Sequence, residues 1–326
     1  MLVAAIALSL IAAIVYRVWA PGLDITDGRH DRGRNGIWLQ HGWLGADEWF
    51  ERNGKRDRIA AFREATNIQQ LAALQRRHHI TDVFPHVCPA DSAGRLPAID
   101  HAQTERFLDA FEGFRVMPWV GGVSGNTVRL ADRAWRRTFA ASVAALLKQH
   151  PRFAGIHVNI EPCRSGNTHF LRLLDELRQA IPADKLLSVA AYPPPTIWQP
   201  FAEVHWDGSY LKEVAGRANQ LAVMMYDTGL PAEKLYQQLM KSWTREILNW
   251  SGQAEVLLGV PTYNDAGVGY HIPSVEDLRN ALLGIHAGLQ GYDAVPPNYQ
   301  GVAIYCEWET DEAEWAYWTT HFMAAR

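Results

Sequence analysis

Cysteine is scarce in this chain, with three residues among 326. Cys88, Cys163 and Cys306 are too few for a disulfide framework and lack the paired spacing of a zinc site. One disulfide plus a free thiol and three reduced core thiols both stay open. Basic charge is not in excess either. The formal net charge is −4, and the Arg-rich pieces lie on helical patterns with acidic neighbours, so no field exists for a nucleic-acid backbone. Long apolar runs are confined to one place, Leu2 to Val15, which is shorter than the roughly 20 residues that span a bilayer comfortably. Val18 to Ala20 extend it if Arg17 snorkels. No Lys or Arg precedes the run, and the Val-x-Ala before Pro21 resembles a processing site only loosely. We therefore expect residues 1–20 to be an uncleaved anchor meeting a membrane through residues 2–20, or a secretion signal if cleaved. Arg17, Arg29, Arg32 and Arg34 follow the run, which on the positive-inside rule argues against export of what comes after.

What is present is enough apolar material for one large core. The chain is 48% hydrophobic and 20% charged, and a single α/β barrel of about 250 residues fits it without a second domain. After a polar linker over residues 21–35, residues 36–326 read as that domain. Thirteen Trp exceed what packing needs; sugar rings stack well on such faces, although most of the Trp should be core.

The stretch around which the chain is organised is Phe-Ala-Gly-Ile-His-Val-Asn-Ile-Glu-Pro, residues 153–162. Ile156, Val158 and Ile160 alternate with His157, Asn159 and Glu161, the period of a strand with its polar side chains on one face. Polar groups on an inner face cost free energy unless paired or used, so three at spacing two suggest a site. Around it, strand candidates start at Gly36, Ile80, Phe114, Leu186, Leu221, Val256 and Gly301. Helical patterns run Arg56 to Arg77, His101 to Phe114, Leu130 to His150, Thr168 to Ile181, Ala232 to Trp250, Ser274 to Leu289 and Asp311 to Ala324. Alternation of this kind predicts a (β/α)8 barrel, because parallel strands need helical crossovers and place active-site residues at their C-terminal ends.

The organising stretch resembles the fourth-strand signature of family 18 glycoside hydrolases, D-G-x-D-x-D-x-E, whose final Glu is the general acid. Gly155 and Glu161 match; Ala154, His157 and Asn159 stand where that family has Asp. The ending Asn-x-Glu is similar to family 85 endo-β-N-acetylglucosaminidases, in which Asn replaces the Asp that orients the substrate acetamide. Met224, Tyr226 and Asp227 resemble the sixth-strand M-x-Y-D motif, and Gly259, Pro261 and Tyr263 the seventh-strand Gly-x-Pro-x-Tyr. Phe114 to Ser124 resembles a third strand ending in Ser-x-Gly-Gly, with Trp119 replacing the Ser. The eighth strand carries Tyr305 where the family has a pocket-floor Trp.

This resemblance implies a TIM-barrel glycosidase acting on an N-acetylhexosamine-containing oligosaccharide or polysaccharide, with no cofactor and no metal. The substrate's own carbonyl oxygen would be the nucleophile. Glu161 would act as general acid, Asn159 would orient the acetamide, Tyr226 would donate to its oxygen, and Asp227 would hold Tyr226 or a sugar hydroxyl. His157 is expected to be neutral and to fix Asn159 through a hydrogen bond, although a satisfied core histidine explains it equally well. Trp119, Tyr305, Glu307, Tyr192, Tyr263, Asn264, Trp38 and His86 complete the candidate substrate contacts. Because glycans of this kind lie outside the cell, the resemblance favours an extracytoplasmic barrel. Two alternatives stay open: a catalytically silent lectin on the same barrel, and a glycosidase pairing Glu161 with Glu307 on a sugar without N-acetyl.

Overall fold

A computed structural model describes residues 14–197, 199–265 and 270–324. Nine strands form one sheet: β1 (Asn35–Leu39), β2 (Ile80–Pro85), β3 (Arg115–Val116), β4 (Trp119–Val123), β5 (Gly155–Glu161), β6 (Leu186–Ala191), β7 (Gln220–Met224), β8 (Glu255–Pro261) and β9 (Tyr299–Tyr305), in the order 3-2-1-9-8-7-6-5-4 with every pairing parallel. The two ends of that order, β3 and β4, are halves of one strand. Pro118 has no N–H to give a ladder and interrupts it. Flanking bonds carry the pairing across the break, Met117 N to Val83 O at 3.0 Å and His157 N to Pro118 O at 2.9 Å. The sheet is thereby a closed eight-stranded (β/α)8 barrel, as expected from the alternation.

Helices 133–149, 168–180, 233–250 and 278–289 match their apolar patterns within a few residues. The crossover helix Gly208–Ala215 has no counterpart in the sequence reading; at eight residues it is too short for a clear period. Asp207 caps it, accepting from the backbone N–H of Ser209 and Tyr210. Residues 21–35, read as a linker, have irregular backbone up to Arg34, with Asn35 opening β1, and pack on the barrel. Asp31 accepts from Asn35 Nδ2 at 2.9 Å and from Ala324 N at 3.1 Å. The expected anchor falls mostly on residues outside those described. Among the described residues no helix is long and apolar enough to cross a membrane.

Two apolar cores follow from strand alternation. Ile156, Val158 and Ile160 of β5 face outward into the layer between sheet and helices. Inside the barrel lies a smaller cluster with Trp38, Phe84, Met117 and Leu257. All three cysteines are free and buried, so the three-thiol reading applies. Most of the Trp excess is structural. Trp135, Trp206, Trp243 and Trp318 are fully buried, and each donates its indole N–H to a backbone carbonyl, of Asp91, Cys163, Pro194 and His78 respectively. A buried indole needs such a partner.

Candidate active site

The inward face of β5 divides into two levels. At the lower level His157 is completely buried and belongs to a one-directional chain of hydrogen bonds. Trp38 Nε1 donates to His157 Nε2 (3.0 Å), His157 Nδ1 to Ser188 Oγ (2.8 Å), Ser188 Oγ to Gln220 Oε1 (2.7 Å) and Gln220 Nε2 to Asp82 Oδ2 (2.6 Å). Arg115 closes the chain on Asp82 and on Glu255. Only the neutral Nδ1–H tautomer satisfies both neighbours of His157, and burial pushes its pKa down to about 3. The expected neutrality of His157 thus has a cause. Its expected bond to Asn159 does not occur: one step of the pleat carries the ring deeper into the barrel, where it stacks on Phe84 at 4.1 Å. His157→Ala should cost about 3 kcal/mol, because it leaves a cavity and strips partners from Trp38 and Ser188. Chemical denaturation measures this, and the pH dependence of any turnover by the remaining folded protein should be unmoved.

At the upper level Asn159 Nδ2 donates to Glu161 Oε1 at 2.7 Å, and Tyr192 OH donates to Glu161 Oε2 at 3.2 Å. Among the described residues no cation pairs with Glu161, and desolvation raises its pKa. The nearby Asp227 charge adds to the rise, while the two hydrogen bonds oppose it. Oδ1 of Asn159 is buried and accepts from nothing. Asn159 can come so close to the neighbouring strand because Gly121 faces it. At φ +138° a Cβ on that residue would collide with the Asn159 carbonyl oxygen.

Glu161 forms part of the wall of two cavities. One, of about 430 Å³, is lined also by Tyr192, Met224, Tyr226, Asp227 and Phe201. The other, of about 520 Å³, is lined also by Asn159, Trp119, His86, His41 and Trp49. Tyr226 stacks on Tyr305 with centroids 5.3 Å apart, and burial keeps its phenol protonated far above the usual range. Asp227 has φ +61°, a left-handed conformation that Asp tolerates better than most residues. It accepts from Tyr263 OH and does not hold Tyr226. Burial raises its pKa.

Several expected contacts do not reach either cavity. Trp38 lies beneath them at 1% exposure, its N–H given to His157. Tyr305 forms a floor among the rings of Trp38, Tyr226, Tyr263 and Trp308. Tyr263 lines neither cavity and donates its OH to Asp227, and Asn264 is exposed, its N–H donated to Glu309. Glu307 accepts from Gln40 N and Trp43 Nε1, both at 3.4 Å, and burial pushes its pKa up to about 7. Conversely, sequence reasoning missed His41, Gln199, Phe201, Thr228 and Tyr270, which line the cavities from loops, and Trp49, which does so from the short helix Glu48–Arg52. Loops have no periodicity to read; the three prolines after β6 were the one signal that a loop lay there.

Comparison with known proteins agrees with the barrel fold. The family described as "Glycosyl hydrolases family 18" matches residues 58–291. No curated protein matches the sequence. Among solved structures, the spore cortex-lytic enzyme SleL of Bacillus cereus is similar with a TM-score of 0.60 at 13% identity, covering 93% of this chain and 76% of that one. A chitinase from Chromobacterium violaceum gives 0.59 at 16% identity over 89% of this chain and 99% of that one. A chitinase from Bacteroides thetaiotaomicron gives 0.52 at 14%, covering 86% of this chain and 92% of that one.

Proposed function

Since this chain belongs to glycosyl hydrolases family 18, and is a glycosidase on that ground, we propose that it cleaves a glycan containing N-acetylhexosamine by substrate-assisted, retaining catalysis. The observation that carries the reading is the buried, unpartnered Oδ1 of Asn159 beside the Glu161 carboxyl. A buried acceptor without a donor costs on the order of 1–3 kcal/mol, and a substrate acetamide N–H would supply that donor. The acetamide carbonyl oxygen would then face the anomeric carbon. Glu161 gives its proton to the leaving oxygen as the glycosidic bond breaks and the carbonyl oxygen bonds to the anomeric carbon. It then takes a proton from the water that opens the ring intermediate.

Tyr226, kept as a phenol by burial, has a proton to offer the acetamide oxygen. Cavities on both sides of Glu161 suit a glycan that continues past the acid in both directions, and so cleavage within a chain. The Glu161 and Glu307 pairing has less support, because the carboxylate whose charge Glu161 feels is Asp227 and Glu307 lines neither cavity. The decisive measurement compares chitooligosaccharides with their fully de-N-acetylated counterparts. Turnover of the first and none of the second is expected. Saturable binding of the first without product would favour the lectin, and equal turnover of both would exclude substrate assistance.

A further inference from the structure

We propose that the flank of the barrel carries a zinc site built from His101, Glu105 and His150, apart from the glycan cavities. His101 and Glu105 stand four residues apart on helix His101–Ala110 and so share one face of it. His150 follows the end of helix Arg133–Gln149. One ligand atom from each of the three lies within 4.8 Å of the other two, and the two imidazole rings are 5.0 Å apart. Two neutral imidazoles and a carboxylate are a recurrent zinc donor set, with bonds of about 2.0–2.2 Å and a fourth position left to water. Exposed His101 has the freedom to close the remaining gap and leaves the site open to entering ions.

The second observation is His150 itself. It is completely buried, one ring nitrogen is bonded to Glu105 Oε1 at 2.9 Å, and the other, Nε2, has no partner. The nitrogen that faces the carboxylate, Nδ1, is the one placed to share a cation with Glu105 in place of the hydrogen bond. Among the described residues the cation against the carboxylate is Arg152. Its Nη1 sits 3.3 Å from Glu105 Oε2 but closer, at 2.6 Å, to Asp109, which draws it away. Bound zinc would tie two outer helices together across the segment that holds β3 and β4. No spacing motif announces this site, because His150 is distant in sequence and adjacent only in the fold.

Zinc chloride titrated into the chelator-stripped, tag-free full chain tests the proposal by calorimetry and thermal unfolding. One equivalent should bind, and Tm should rise by a few degrees at saturation. His101→Asn and Glu105→Gln, both at positions with solvent access, should each weaken binding by tenfold or more and remove the Tm rise. Arg152→Gln should tighten it. Absence of saturable uptake, or uptake unchanged in both ligand variants, overturns the site.

Discussion

Glu161→Gln should abolish turnover while leaving the barrel folded and, above the folded pKa of Glu161, more stable than the parent. A positioned general acid is worth roughly 10²–10⁴-fold in rate, and Asp227, a carboxyl lining the same cavity, is engaged by Tyr263 OH. The stability half follows from linkage. Burial raises the pKa of Glu161 in the folded chain, so its carboxyl contributes most below its unfolded pKa, and that contribution is lost as pH rises through the folded value. Above that pH the fold holds an ionised carboxylate in a desolvated place. Gln keeps the shape and both neighbouring groups within reach without the charge. Calorimetry across a pH series should show the two Tm curves separating at high pH and converging at low pH. A variant that loses activity together with stability at every pH would mean Glu161 is structural. The same raised pKa sets the alkaline limb of the parent's pH–rate profile, since the acid must be protonated to act.

The second large effect is expected at Asn159. Replacement by Ala removes the acceptor assigned to the acetamide and should lower kcat roughly 10²–10³-fold, the scale of losing one preorganised polar contact to the reacting group. The loss should fall on substrates with an N-acetyl group. Any slow cleavage of an activated aryl glycoside lacking that group should be little changed, and an equal penalty on both would remove Asn159 from the chemistry. Asn159→Asp, which restores the acidic residue of the family pattern, places a like charge where the amide now sits 2.7 Å from Glu161 Oε1. That charge should raise the Glu161 pKa further and move the alkaline limb upward. Ala deletes a hydrogen bond that favours the ionised acid, so its limb should move the same way but less.

The barrel was legible because alternating strands and amphipathic helices must bury their apolar faces, and that pressure leaves a periodic trace. Short helix Gly208–Ala215 left too brief a trace, and the division of one strand at Pro118 follows from a missing N–H that strand patterns do not weigh. At the site, parity on β5 correctly put His157, Asn159 and Glu161 on one face. Parity says nothing of depth, and so a histidine that satisfies the barrel interior looked the same as one that serves the mouth. Tyr305 and Trp38 illustrate the same ambiguity, being inward-facing aromatics enclosed by other rings. His41 and Phe201 were invisible because loops are shaped by the elements they connect and carry no repeat of their own, and Trp49 because its five-residue helix is too short to show a period.

The polarity of the chain from Trp38 to Arg115 bears on any attempt to reshape the enzyme. Every hydroxyl, amide and imidazole in it has a single permissible orientation, so a swap at Ser188 or Gln220 that cannot pass the donor sense onward would frustrate residues two strands away. Variation intended to broaden what the mouth accepts therefore belongs on the rim, at positions such as Phe201 and Trp49. The conduit beneath should be exchanged only as a complete unit.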